Sequence, residues 1–176
     1  MRFLSFTVFM AVFFLFSCEN ENKDAIKHKK LDKHAFKENM AEVNKHLLKN
    51  ENQDIQDFIN RYHYQMTETG TGLYYEVYKK GNGEQARKGK IAELNFSVRL
   101  LNGQVVYKSD EEGVKEFKIG KGGVESGLEE GILLLHVGDH ARFILPSHLA
   151  FGLLGDREKI PAKAAIVYDI ELMNLK

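Results

Sequence analysis

The spacing of apolar residues changes near residue 66, and this change divides the chain into a helical part and a β-rich part. Before it, apolar residues recur every three or four positions, which is the period of one face of an α-helix. One such set is Phe36, Met40, Val43 and Leu47, and a second, after the polar segment KNENQD, is Ile55, Phe58, Ile59 and Tyr62. Residues 31–65 are therefore predicted to form a helical arm, as one interrupted helix or as two short helices.

The apolar stripe of this arm is expected to be covered, because apolar side chains gain free energy when they leave water. It could pack on the domain that follows it in the chain. Alternatively, residues 31–62 could form a homodimer or bind a client polypeptide.

After residue 66 the pattern is that of short strands. Apolar residues at 94, 96 and 98 alternate with polar ones, which indicates a half-buried strand, and the Asn-Gly pair in LNGQ favours a tight hairpin. The segment ESGLEEGILLL predicts one short helix, and AAIVYDIELMNLK alternates as a last strand. Residues 66–176 are therefore predicted to be an α+β domain, in which about five antiparallel strands form a half-barrel wrapped on one short helix.

Composition and motifs exclude several classes of function. The chain has 25 basic and 25 acidic residues, so no bulk attraction to nucleic acid is expected. The glycine-rich segment GKGGVESG lacks the Lys-Ser or Lys-Thr of a phosphate-binding loop. His136 and His140 are separated by a Gly-Asp turn and have no third ligand nearby, so neither a metal nor another cofactor is predicted.

The first residues, MRFLSFTVFMAVFFLFSC, have the form of an export signal. Arg2 precedes an apolar run that is too short to span a bilayer, which takes about 20 residues, but suits a signal peptide over residues 1–17. LFSC resembles the lipobox of bacterial lipoproteins, so Cys18, the only cysteine, is predicted to be lipidated. Residues 18–30 would then be a charged tether to a membrane of the bacterial cell envelope; an ordinary signal with a chance cysteine is the alternative.

A longer series of motifs lies in the β-rich part. In VESGLEEGILLLHVGDHARFILPSHLAFG, a Val-x-x-Gly helix start precedes a Gly-Asp turn and a Pro-Ser loop ending in Ala-Phe-Gly; an Ile-Pro pair and IVYDIEL follow. This order resembles the C-terminal half of FKBP-type peptidyl-prolyl cis-trans isomerases and covers about residues 70–176. With the export signal and the TGTGL segment, the chain is most similar to the FKBP-type lipoproteins of gliding bacteria, which are associated with the motility machinery.

The resemblance implies an isomerase that assists the folding of exported, proline-containing polypeptides, and it implies a set of site residues. Ile160 and Val124 would offer backbone N–H groups to the substrate. The predicted catalytic residues are Phe96, Val124, Phe151, Ile160 and Tyr168, and the predicted substrate-binding residues are Leu128, Val106, Tyr107 and Leu149.

Several of these positions depart from the family pattern. Leu128 stands where a tryptophan is usual, Glu125 where an apolar residue is usual, and Phe151 lacks the hydroxyl of the usual tyrosine. The pocket is therefore predicted to be partly degraded. The alternative function is an FKBP-fold binding module that no longer catalyses and holds a partner in the envelope.

The anchor gives the first prediction. Replacing Cys18 by alanine removes the only thiol that can be acylated, so the variant is expected to leave the membrane fraction and to lose acyl label. Fractionation of cells after labelling with a fatty acid measures both. Unchanged fractionation together with unchanged label would contradict the lipidation of Cys18.

Overall fold

The computed structural model describes residues 33–176. The signal peptide predicted over residues 1–17 and the whole of the tether, including Cys18, therefore lie outside the described residues. The chain divides into two units, Met1–Asn39 and Met40–Lys176, and the features described below belong to the second unit unless stated otherwise. Within residues 33–176 no helix is both long and apolar enough to cross a bilayer.

The predicted arm forms a single continuous helix, α1 (Lys33–Tyr62). The expectation of a break at KNENQD is wrong. That segment is polar but contains neither proline nor glycine, so no residue in it stops a helix. A side-chain hydrogen bond of 2.9 Å from Gln53, within this segment, to Asp57, beyond it, links positions one turn apart.

Only the second half of the apolar stripe is covered. Ile55 and Phe58 are each 1% exposed. They pack in a cluster with Tyr74, Ile144 and Val167 of the sheet and with Ala165 in the preceding loop. Met40 and Val43 are 45% and 51% exposed, and Phe36 in the first unit is also exposed. The stripe therefore packs on the sheet in part, and the homodimer through residues 31–62 stays a prediction.

The β-rich part contains seven strands within the described residues, more than the five or so expected. They are β1 (Thr67–Glu68), β2 (Tyr74–Lys79), β3 (Ile91–Leu100), β4 (Val105–Lys108), β5 (Lys115–Lys118), β6 (His140–Leu145) and β7 (Ile166–Leu175). They form one antiparallel sheet in the order β1-β2-β6-β7-β3-β4, and β5 pairs with the far end of β3. Three short helical segments interrupt them: α2 (Ser109–Glu112), α3 (Ser126–Ile132) and a 3₁₀ turn (Ser147–Leu149).

The core lies between this sheet and α3, as the predicted α+β class requires. Every second residue of β3 is buried, which confirms the alternation expected for residues 94, 96 and 98. Gly127 and Gly131 on α3 face β6 so closely that a Cβ atom at either glycine would lie 2.6 Å from a side chain of that strand. The helix therefore contacts the sheet through its backbone.

The cluster under α1 gives a stability prediction. Ile55→Ala removes fully buried methyl groups and is expected to lower the free energy of unfolding by about 2–5 kcal/mol, measured by urea titration. Val43→Ala, at a half-exposed position of the same helix, is the matched control and is expected to change it by less than about 0.5 kcal/mol. Equal losses in the two variants would show that α1 does not pack on the sheet as described.

Candidate active site

A cleft of about 640 Å³ opens where β3, β5 and β7 meet the loop that enters α3 and the loop between the 3₁₀ turn and β7. Strands supply its walls and loops supply its rim, which is the usual arrangement of a small-ligand site. All five predicted catalytic residues line it, as does Tyr107. The full lining is Phe96, Val98, Tyr107, Glu112, Lys115, Gly123, Val124, Glu125, Ala150, Phe151, Asp156, Glu158, Ile160 and Tyr168.

Two aromatic rings from adjacent strands form the deepest wall. In the sheet register Val98 faces Tyr168, so Phe96 and Tyr168 are diagonal neighbours on β3 and β7. Their ring centroids are 6.3 Å apart and their planes are tilted by 52°, a favourable aromatic geometry. Phe151 and Ile160 add apolar surface from the loop that follows the 3₁₀ turn.

A polar chain crosses this apolar wall. The hydroxyl of Tyr168 donates to Glu125 Oε1 at 3.1 Å and accepts a hydrogen bond from Lys115 Nζ at 3.4 Å. Burial raises the pKa of Tyr168 well above its usual value, and the adjacent Glu125 carboxylate raises it further, so the hydroxyl stays neutral. The Lys115 ammonium also lies 5.3 Å from the centroid of the Phe96 ring, within the range of a cation–π contact.

A second polar group fixes the rim. The hydroxyl of Tyr107 donates a short hydrogen bond to Asp156, and Oδ1 of Asp156 accepts the backbone N–H groups of Glu158 and Ile160, both at 2.8 Å. The bond to Asp156 raises the pKa of Tyr107 to about 12. Burial raises the pKa of Asp156, but the bonds from Tyr107 and from the backbone outweigh burial and leave that pKa below its usual value.

This arrangement corrects the role expected of Ile160. Its backbone N–H was expected to donate to the substrate carbonyl, but it already donates to Asp156, four residues earlier in the loop. The N–H of Val124 has no acceptor among the described residues, and Val124 lines the cleft, so its role as a donor to the substrate stays a prediction. The side chain of Ile160 still lines the cleft.

Three predicted substrate-binding residues lie in the core instead of on the cleft wall. Leu128 is fully buried because it lies on the face of α3 that contacts the sheet. Val106 and Tyr107 are consecutive in β4, so their side chains point to opposite faces, and Val106 is the buried one. Leu149 packs against α3 beside Gly127. Of the four, only Tyr107 lines the cleft.

The sequence analysis missed several lining residues, of which Asp156 matters most because it holds the rim. Its bond to the backbone of Glu158, two residues on, is the local turn that aspartate favours in loops, so the segment GDREK carried a signal for it. The other lining residues outside the predicted set are Val98, Glu112, Lys115, Gly123, Glu125, Ala150 and Glu158.

The motifs, the fold and this cleft agree with the comparisons to known proteins. The family model of FKBP-type peptidyl-prolyl cis-trans isomerases matches residues 82–173, which is more than half of the chain. The chain therefore belongs to the FKBP-type peptidyl-prolyl cis-trans isomerase family.

Individual relatives support this assignment. The chain is 34% identical over 108 residues to a probable FKBP-type peptidyl-prolyl cis-trans isomerase, FkpA, of Neisseria meningitidis serogroup B, which covers 61% of the chain and 39% of that relative. It is 33% identical over 92 residues to FK506-binding protein 2 of Dictyostelium discoideum; the match covers 52% of this chain and 69% of that relative. Among solved structures, FkpA from Escherichia coli superposes with a TM-score of 0.64 at 25% identity, covering 81% of this chain and 69% of that one.

The rim gives a prediction about local order. Asp156→Ala removes the acceptor of the Ile160 N–H, so the exchange of that amide with solvent deuterium is expected to accelerate by at least tenfold. Tyr107→Phe is the matched control, because it removes the hydroxyl but keeps the bond to Ile160. Hydrogen exchange followed by NMR measures both, and equal protection of Ile160 in the two variants would contradict this role of Asp156.

Proposed function

We propose that the chain is a peptidyl-prolyl cis-trans isomerase that acts on proline-containing polypeptides in the cleft described above. One observation carries the proposal: five residues assigned from the family motifs converge on a single cleft with aromatic walls, although they lie as far apart in sequence as Phe96 and Tyr168. The activity in the printed name of the Neisseria relative agrees with it.

Isomerisation depends on a cleft that fits proline and excludes water, and it needs no residue that gains or loses a proton. The barrier to rotation of a peptide bond is about 18–20 kcal/mol and arises from amide resonance. In the twisted transition state this resonance is lost and the carbonyl becomes less dipolar. A water-poor apolar wall therefore favours the transition state over the planar ground state.

Different residues of the cleft would bind the proline ring, orient the substrate and hold the loop in place. The rings of Phe96, Phe151 and Tyr168 would surround the proline ring and exclude water from it. The free N–H of Val124 would orient a substrate carbonyl. Asp156 acts as a positioning residue, because it holds Ile160 against the cleft without contacting the reacting bond.

We further propose the cellular setting that the N-terminal sequence suggests. A signal peptide and a lipid on Cys18 would place the domain at a membrane of the cell envelope, where its clients would be exported proteins. The similarity to FKBP-type lipoproteins of gliding bacteria supports a role near the motility machinery. A homodimer through residues 31–62 would cover the exposed side chains of Met40 and Val43.

A second candidate function is an FKBP-fold binding module without catalysis. The polar chain of Lys115, Tyr168 and Glu125 favours it, because these groups lie on a wall where catalysis requires an apolar surface. Glu125 is also one of the three departures from the family pattern, with Leu128 and Phe151, from which a partly degraded pocket is predicted. The two functions differ in whether proline isomerisation is accelerated.

The deciding measurement is the isomerisation rate of a Leu-Pro peptide. The wild type is expected to exceed the uncatalysed rate, and Phe151→Ala is expected to lower kcat/KM by about tenfold because it opens the wall to water. Leu153→Ala, 69% exposed in the same loop and outside this cleft, is the matched control and should leave the rate unchanged. A wild-type rate equal to the uncatalysed one would leave only the binding module.

The same assay is expected to be flat between about pH 5 and pH 9. Asp156 has a depressed pKa, so the stability it contributes is lost only as the pH falls below the usual aspartate value of about 3.9. Tyr107 has a pKa raised to about 12, so its contribution is lost only as the pH rises from about 10 towards that value. No histidine among the described residues lines the cleft, and a bell-shaped profile centred near neutrality would contradict this account.

A further inference from the structure

The cleft carries more negative than positive charge at its rim. Four carboxylates line it, those of Glu112, Glu125, Asp156 and Glu158, against the single ammonium group of Lys115. In a concave site such charges act together, because the low-dielectric walls focus their field on the opening.

Two of these carboxylates already have partners. Asp156 accepts hydrogen bonds from Tyr107 and from the backbone of its own loop. Glu112 lies 3.9 Å from Lys159, with about half of each side chain exposed, so the charges of this pair largely offset each other. Glu125 and Glu158 are the two that form no direct ion pair within the described residues, although the Tyr168 hydroxyl links Glu125 to Lys115 by hydrogen bonds.

Glu125 is the more deeply placed of the two. Its Oε1 accepts the hydroxyl of Tyr168, whereas its Oε2 is buried and has no hydrogen-bond partner within the described part of the chain. A buried acceptor without a partner is unfavourable, because it has given up its hydrogen bonds to water without replacing them. A cationic group that entered the cleft and drew the carboxylate towards it would recover part of this cost.

The wall itself accommodates a cation. The ammonium of Lys115 lies 5.3 Å from the ring centroid of Phe96 and 5.8 Å from that of Tyr168, and no carboxylate among residues 33–176 lies within ion-pair distance of it. Within the described residues, Lys115 is therefore held over the aromatic surface by these contacts and by its hydrogen bond to the Tyr168 hydroxyl, without an ion pair. A substrate must move it aside, and a substrate with its own cation can replace the contacts that Lys115 gives up.

We propose that the cleft selects proline segments in which a lysine or arginine is adjacent to the proline, with Glu125 as the residue that determines this preference and Lys115 as the intramolecular competitor. The inference rests on the proposed isomerase function and names its substrate class. The aromatic walls would receive the proline ring, and Glu125 would pair with the neighbouring ammonium or guanidinium group.

The test compares kcat/KM for peptides that differ only in the residue before or after proline, which is lysine, leucine or glutamate. At low salt the lysine peptide is expected to exceed the glutamate peptide by about fivefold, because two unit charges attract appreciably over several ångströms at a protein surface. Glu125→Gln is expected to bring the ratio close to one, and Lys115→Met to raise it. Addition of 1 M NaCl should also reduce the ratio.

Glu116→Gln is the matched control, because Glu116 follows Lys115 on β5 but does not line the cleft, so the same change in net charge should leave the ratio unaltered. A ratio near one in the wild type, or one that Glu125→Gln does not change, would overturn the inference while catalysis of the leucine peptide would uphold the isomerase. If no peptide is isomerised, the dissociation constants of the same peptides, measured by fluorescence titration, decide the preference separately from the activity.

Discussion

The close contact between helix α3 and strand β6 determines where the cleft can form. Gly127 and Gly131 remove the side chains that would otherwise separate the two elements, since a Cβ at either position would lie 2.6 Å from Leu145 or Phe143. The loop that enters α3 carries Gly123, Val124 and Glu125, which line the cleft. The distance between α3 and the sheet therefore determines the position of this cleft wall. A larger residue at either glycine would push that wall outwards even though neither glycine touches the cleft.

The opposite rim depends on Asp156 in a different way. Apolar walls exclude water but do not fix a loop in one conformation, whereas a carboxylate that accepts two backbone N–H groups and a tyrosine hydroxyl does so through directional bonds. As a result, the N–H of Ile160 is bonded to Asp156 and is not free to donate to a substrate. In this protein the loop amide therefore supports the shape of the cleft, and the amide of Val124 remains available on the other side.

The sequence predicted the features that depend on local periodicity and on motif order. The alternation in β3, the short helix α3 and the convergence of Phe96, Val124, Phe151, Ile160 and Tyr168 on one cleft all follow from patterns within short segments. The continuity of α1 was missed because a polar segment was interpreted as a break. Leu128, Val106 and Leu149 lie in the core and do not line the cleft. Whether such a side chain points into the core or into the cleft depends on tertiary packing, which a local pattern does not contain. The bond between Tyr107 and Asp156 joins residues 49 positions apart, and no local pattern predicts such a pair.

The pairing of β3 with β7 has a consequence for how the protein is made. Leu94 faces Leu172 and Val98 faces Tyr168 in the register, so β3 is completed only by a strand that comes much later in the sequence. Pairs this distant in sequence form late, because the intervening chain must first be ordered. A chain that emerges from its N-terminus onwards would expose the apolar face of β3 until β7 had also emerged. During that interval it would itself need protection from aggregation.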